Sequence, residues 1–256
     1  MKRIILFDKV PFDPIIKKQL LTKIIELILV KKKCMVLNMN AFGVVTFLKN
    51  NKYARIIKSA EIIYSDGWGP VLASRLTKES LPERVNVGDF IDNLLEKLDN
   101  RGFRLFLLGC EKKTVMRTQV EIMKKYQRIT ICGHHHGFFR KKQESDVVDQ
   151  IRKAFPDIVL VGMGVPIQEY FIANNWDLLP NAVYMGIGGV FYYIAGLKTR
   201  APNWMRDYSL EWLFRLFQEP ERLWKRYTVI NLLFISFIIK YFLNDLFSSP
   251  LKSKNN

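Results

Sequence analysis

The strongest constraint in this chain is an alternation. Short, nearly continuous apolar runs end in loops bearing glycine or aspartate, and each is followed by a segment with helical spacing. Asp157–Met163 is the most apolar run, and Cys34–Asn38, Glu61–Tyr64, Arg104–Leu108, Arg128–Cys132 and Ala182–Ile187 repeat the pattern. Between them Ala41–Leu48, Thr114–Tyr126, Asp146–Phe155 and Ile167–Asn175 read as helices, and Gly188-Gly189 leads into one more. Strands apolar on both faces need cover on both faces. The pattern therefore predicts an α/β, Rossmann-like, mostly parallel sheet with helices on either side. Ligands of such folds sit beyond the carboxyl ends of the strands. A short strand (Arg3–Phe7), a Pro-bearing turn and an Ile- and Leu-rich helix closed by Lys31, Lys32 and Lys33 precede this core.

The stretch after Gly196 differs, which divides the chain into an α/β domain (1–196) and a helical C-terminal appendage (197–256). Pro202 opens a helix carrying Met205, Tyr208, Trp212 and Leu216 at helical spacing. Pro220 interrupts it, and Arg222, Lys225 and Arg226 form a basic group. The apolar segment Tyr227–Ile239 that follows is shorter than the about 20 residues a bilayer span needs. Basic residues beside an apolar face suit an element lying on an anionic membrane surface. Self-association into a homo-oligomer is the other use of such a face, and a core helix with a solvated basic side is the plainest.

Charge narrows the partners. Forty Lys and Arg against 24 Asp and Glu leave a formal charge of +16, which favours polyanions: nucleic acid, anionic lipid or a phosphorylated substrate. A nucleic-acid partner rests on charge alone and leaves the glycine-rich loops unexplained. Cys34, Cys110 and Cys132 lack CxxC spacing, so neither a disulfide framework nor a zinc knuckle is expected, and a reducing cytosol fits. The apolar start, Met1–Phe7, is too short for a signal peptide.

Candidate chemistry falls in four loops at predicted strand ends: Asn38–Ala41, Ser65–Gly69, Gly133–Phe139 and Gly162–Glu169. Glycine allows close backbone approach, and backbone amides at a following helix start can hold phosphate. Gly162-Met163-Gly164 is an incomplete GxGxxG, and no Walker lysine motif is present. Asp66-Gly67 is a turn signal that could also present a catalytic carboxylate. His134–His136 are adjacent and point in different directions, so a pocket-lining loop is expected rather than a metal site. With no Asp-x-Asp in the chain, a departing diphosphate would be met by cationic side chains and amides.

The motifs in these loops resemble those of the WecG/TagA/CpsF family of bacterial glycosyltransferases. The resemblance runs from about Lys33 to about Tyr227 through VLNMNAFGVV (Val36–Val45), YSDGWGPVLASRL (Tyr64–Leu76), LPERVNVGDF (Leu81–Phe90), FLLGCE (Phe106–Glu111) and GHHHGFF (Gly133–Phe139). It continues through PDIVLVGMGVPIQEYFI (Pro156–Ile172), GIGGVFYYIAG (Gly186–Gly196) and RAPNWMRDYSLEWLFRLFQEPERLWKRY (Arg200–Tyr227). The resemblance implies a GT-E-type fold and an inverting, metal-independent transfer with no cofactor. A sugar of N-acetylmannosamine type, or a hexose, would pass from a UDP-sugar to an undecaprenyl-diphosphate-linked sugar in surface polysaccharide or teichoic acid synthesis. The enzyme would be cytoplasmic and peripheral on the inner membrane face. The alternative is a non-catalytic nucleotide-binding module at the membrane surface.

By the same resemblance Asp66 is the general base, with Gln168 and Asn38 as further catalytic residues. Asn40, Arg84, His136, Phe138, Gly162, Gly164, Glu169, Gly186, Gly188 and Gly189 would bind substrate, Arg84 at the diphosphate. Arg215, Arg222 and Lys225 would meet lipid or the lipid diphosphate. Three positions depart from the family pattern: Asn38 stands for Thr, Ile167 for Lys and Phe138 for Tyr.

Overall fold

The computed structural model describes residues 2–77, 80–208 and 210–248. In chain order the elements are β1 (Ile4–Leu6), β2 (Val10–Phe12), α1 (Lys17–Leu29), β3 (Cys34–Met39), α2 (Ala41–Lys49), α3 (Asn51–Ser59), β4 (Ile62–Ser65), α4 (Trp68–Ser74) and α5 (Val87–Asp99). They continue with β5 (Arg104–Gly109), α6 (Lys112–Lys125), β6 (Thr130–His135), α7 (Glu144–Ala154), β7 (Ile158–Gly162), α8 (Ile167–Asn174), β8 (Val183–Gly186) and α9 (Val190–Ile194). The C-terminal helices are α10 (Asn203–Asp207), α11 (Glu211–Gln218) and α12 (Pro220–Ser248).

Among the described residues a six-stranded sheet runs β4-β3-β8-β7-β5-β6, every pairing parallel. Strand periodicity explains its two cores. Phe106, Leu108, Val159 and Val161 face a layer that includes α2, α3, α7 and α8, whereas Leu105, Leu107, Ile158 and Leu160 face α1, α5, α6 and α9. The expected α/β architecture, with helices on both faces, is the observed one.

Local boundaries depart from expectation where backbone pairing overrides composition. The Pro-bearing turn contains β2, which pairs antiparallel with β1 through Ile5↔Pro11; proline is tolerated in such a marginal two-stranded ribbon. Strand β6 reaches further than Arg128–Cys132, so His134 and His135 are strand residues paired with Leu107 and Leu108. Helices α3, α4 and α5 carry no expectation from the sequence. Asn50 and Asn86 cap α3 and α5, accepting hydrogen bonds from Tyr53 N and Gly88 N.

The appendage also differs. The single helix expected from Pro202 is two, α10 and α11, and the break turns Glu211 inward, leaving it 8 % exposed. Pro220 interrupts the helical run as expected, with α11 ending at Gln218, and it opens α12, the position where its missing N–H costs nothing. Helix α12 runs through Lys240, which stays exposed, so the apolar stretch is longer than Tyr227–Ile239. Its Tyr227–Asn244 window has mean hydropathy 1.5 and is long and apolar enough to cross a membrane by length and composition. One side packs on the domain: Phe234 is buried, meeting Phe7 edge-on at 6.2 Å, and Phe7 meets Tyr241 at 5.6 Å. The other side exposes Val229, Leu232, Ile235, Ile239, Phe242 and Leu243.

Candidate active site

The carboxyl ends of the parallel strands gather the candidate loops along one edge of the domain. At the end of β4 the Asp66 amide donates to Met39 O (3.0 Å), which sets Asp66 beside Asn40. Asn40 caps α2, its Oδ1 accepting from Gly43 N at 3.1 Å. Gly67 turns the chain into α4 at φ 100°, a conformation that favours glycine. Asp66 is half-buried, and its Oδ1 accepts from Asn86 Nδ2 at 2.7 Å. Burial pushes the Asp66 carboxyl up to about 6; Arg215 and Arg84 pull it down, while Glu211 and Asp89 push it up.

Those four neighbours belong to one charged network. Asp89 receives Arg84, Arg200 Nη1 (2.6 Å) and Arg206 Nη1 (2.9 Å). Glu211 receives Arg84 Nη1 (3.1 Å), Arg200 Nη2 (3.3 Å) and Arg215 Nη2 (2.6 Å). The network joins the loop before α5 to α10 and α11. It borders a cavity of about 360 Å³ lined by Lys17, Glu83, Arg84, Asn86, Asp89, Asn203 and Arg206. Arg215 also lies over the Tyr193 ring at 5.6 Å. Asp66, Arg84 and Arg215 are thus brought together, with the Arg84 guanidinium held by two carboxylates. The side chains of Arg222 and Lys225 lie outside the described ones.

Asn38, Gln168 and Glu169 are placed differently: their side chains brace the loops. Asn38 is buried and donates to Gly186 O (2.8 Å) and Tyr64 Oη (3.4 Å), tying β3 to β8. Gln168 Oε1 accepts from Gly164 N (3.2 Å) and Gly188 N (3.1 Å), and its Nε2 donates to Glu169 Oε1 (2.8 Å). Both side chains are fully buried. Their hydrogen bonds in this structure go to the loops, and the Gly164 and Gly188 amides are already satisfied by Gln168. The glycines divide accordingly. A Cβ on Gly162 would meet Gly188 O at 2.9 Å, and one on Gly186 would meet Gln168 Nε2 at 2.6 Å, so both are packing glycines. Gly164 (φ 79°) and Gly188 (φ 56°) face open space, as a surface offered to a ligand would, and a Cβ on Gly189 would make only ordinary contact with Tyr192.

At the far edge, His136 is half-buried beside the end of β6, its carbonyl 2.7 Å from His135 Nδ1, and Phe138 is 70 % exposed. Burial and the Lys112 charge lower the affinity of His134 for a proton. No group of three His, Cys, Asp or Glu that could hold a metal ion occurs among the described residues.

The Glu169 carboxyl yields a stability prediction. Burial pushes it up to about 7 against its bond from Gln168, and Oε2 has no hydrogen-bond partner among the described residues. Its value when unfolded is near 4.5, so its contribution to stability is full below 4.5 and is lost as pH rises through about 7. Glu169→Gln keeps the shape and the acceptor for Gln168. Its stability relative to wild type should therefore climb between pH 5 and 8, by roughly 3 kcal/mol. Urea unfolding at the two pH values measures this, and a pH-independent difference would exclude a neutral buried carboxyl.

The model of the WecG/TagA/CpsF glycosyl transferase family matches residues 5–246. The chain belongs to this family. This WecG/TagA/CpsF protein is a glycosyltransferase. Its relatives include the N-acetylglucosaminyldiphosphoundecaprenol N-acetyl-beta-D-mannosaminyltransferases of Bacillus subtilis and Bacillus spizizenii. They are 37% and 35% identical to it over 179 residues, which is 70% of this chain and 69% and 68% of theirs. The enzyme of that name from Staphylococcus aureus is 34% identical over 174 residues, covering 68% of this chain and 66% of its own.

Sequence reasoning gave no site role to Asn86, Asp89, Arg200, Arg206 and Glu211 in this glycosyltransferase. All lie inside the quoted motifs LPERVNVGDF and RAPNWMRDYSLEW. The available signal was the placing of both charge signs in two otherwise apolar motifs, since charges among buried residues need partners.

Proposed function

We propose that this chain transfers an N-acetylmannosamine-type sugar from a UDP-sugar to an N-acetylglucosaminyl-diphosphoundecaprenol acceptor, inverting the anomeric carbon. The observation that carries the reading is Asp66: a half-buried carboxylate with a pKa of about 6, held by Asn86 at a strand end and facing arginines. A base poised just below neutral pH is largely ionised yet takes up a proton readily. Asp66 accepts the proton of the acceptor hydroxyl; the oxygen attacks the anomeric carbon as its bond to the diphosphate breaks. Arg84, Arg200, Arg206 and Arg215 exceed Asp66, Asp89 and Glu211 by one charge, so the network can attract a diphosphate and offset part of its charge through guanidinium groups. Gly164 and Gly188 face the open space in which the donor would lie. The names of the Bacillus relatives support the choice of sugar and acceptor.

Residues 1–196 would form the catalytic body and 197–256 the docking element. The exposed face of α12 and the net charge of +16 support a peripheral position on the cytoplasmic membrane face, with the side bearing Phe234 kept against the domain.

A panel of UDP-sugars with one GlcNAc-diphospho-lipid analogue, scored by product mass, tests the reading. The expected result is an N-acetylhexosamine adduct formed without added metal. Nucleotide binding with no adduct from any donor would leave a binding module.

A further inference from the structure

The amide of Asn86 is the direct partner of Asp66, and its orientation is determined by other contacts. Asn86 Oδ1 accepts from Gly88 N at 2.9 Å and from Arg200 Nη2 at 3.4 Å. With the oxygen end so used, only the NH₂ end can face Asp66, where Nδ2 donates to Oδ1 at 2.7 Å. The side chain is 9 % exposed, so water does not replace these partners cheaply. Capping α5 requires an acceptor, and aspartate would serve equally. Holding a carboxylate requires a donor. A side-chain amide supplies both.

We propose that Asn86 is a positioning residue of this transferase: it fixes the Asp66 carboxylate and directs Oδ2 to the acceptor hydroxyl, with Arg200 fixing Asn86 in turn. No hydrogen bond reaches Asp66 Oδ2 among the described residues. The inference rests on the reading of Asp66 as the base. The other groups acting on Asp66 are Arg84 before α5, Asp89 on α5, Glu211 and Arg215 on α11, and Tyr64 on β4. Each acts as a charge or through burial, whereas Asn86 makes the hydrogen bond, and a donor to a carboxylate favours its ionised form.

The test is Asn86→Asp, which keeps the size and the capping oxygen, removes the donor and adds a like charge. With wild-type thermal stability retained, kcat at pH 7 should fall on the order of 100-fold with little change in KM. The acidic limb of the rate profile should move up by about one pH unit or more, and so should the Asp66 carboxyl followed by carbon NMR. Asn86→Ser, a capping residue without new charge, should lower kcat on the order of tenfold with a smaller shift. A merely structural role would lower the melting temperature and leave limb and carboxyl in place, which overturns the proposal. A moved carboxyl with unchanged turnover would uphold the Asn86–Asp66 link and remove Asp66 from the chemistry.

Discussion

Asp66→Asn lowers transfer to the lipid acceptor by roughly 10²- to 10⁴-fold, the range that removal of a general base commands. The substitution is isosteric, and an amide oxygen at the same place still accepts from Asn86 Nδ2, so the strand end keeps its shape. What disappears is the proton acceptor. Wild-type rates should rise with pH through a midpoint of about 6, as the carboxyl ionises, and the residual rate of the variant should lack that limb. Stability moves the other way. The Asp66 carboxyl is raised above its ordinary 3.8, so its contribution is lost as pH rises through about 6. Above that pH the variant should be more stable than wild type by about 3 kcal/mol, the cost of keeping a charged base half-buried. Turnover with a GlcNAc-diphospho-lipid analogue and melting at pH 8 check both halves. Wild-type turnover in the variant would exclude Asp66 as the base.

The second large effect concerns Glu211. Glu211→Ala takes the carboxylate from Arg215 and leaves Arg84 and Arg200 with Asp89 alone in a part-buried setting. Breaking such a network from one side typically costs about 3–5 kcal/mol, because the remaining charges stay desolvated. Burial alone would raise the Glu211 carboxyl, but Arg215, Arg200 and Arg84 outweigh it and hold it below its ordinary 4.5. Its contribution is therefore present above pH 4.5 and is lost as pH falls through its lowered value. The gap in melting temperature between wild type and variant should be wide at pH 7 and close in acid. Activity should fall with it, since Glu211 holds Arg215 near Asp66. An unchanged melting temperature at pH 7 would show that α11 is held by packing alone.

Much of the sheet was legible in residue order. Leu105–Leu108 and Ile158–Val161 alternate between two buried faces, and a sheet covered by helices on both sides keeps all those side chains from water. The strand-end signal at Ser65-Asp66-Gly67 placed the base candidate, because a left-handed glycine after a short apolar run marks where a strand leaves the sheet. Local readings failed where a strand depends on the strand beside it. Val10–Phe12 is a strand only because Ile4–Leu6 is beside it, and His134 and His135 are extended only because β5 supplies a ladder.

The site divides in the same way. Residue order alone determined the parallel sheet, the loops at its carboxyl ends, the position of Asp66 and the excess of cations. Tertiary structure decided that Asn86 meets Asp66, that Arg84 is shared with Glu211 from α11, and that Gln168 binds two glycine amides. Hydrophobic periodicity is written residue by residue and survives without the rest of the chain. Pairing of buried polar groups depends on which segments the sheet brings within about 3 Å of each other, and only the folded chain sets that distance.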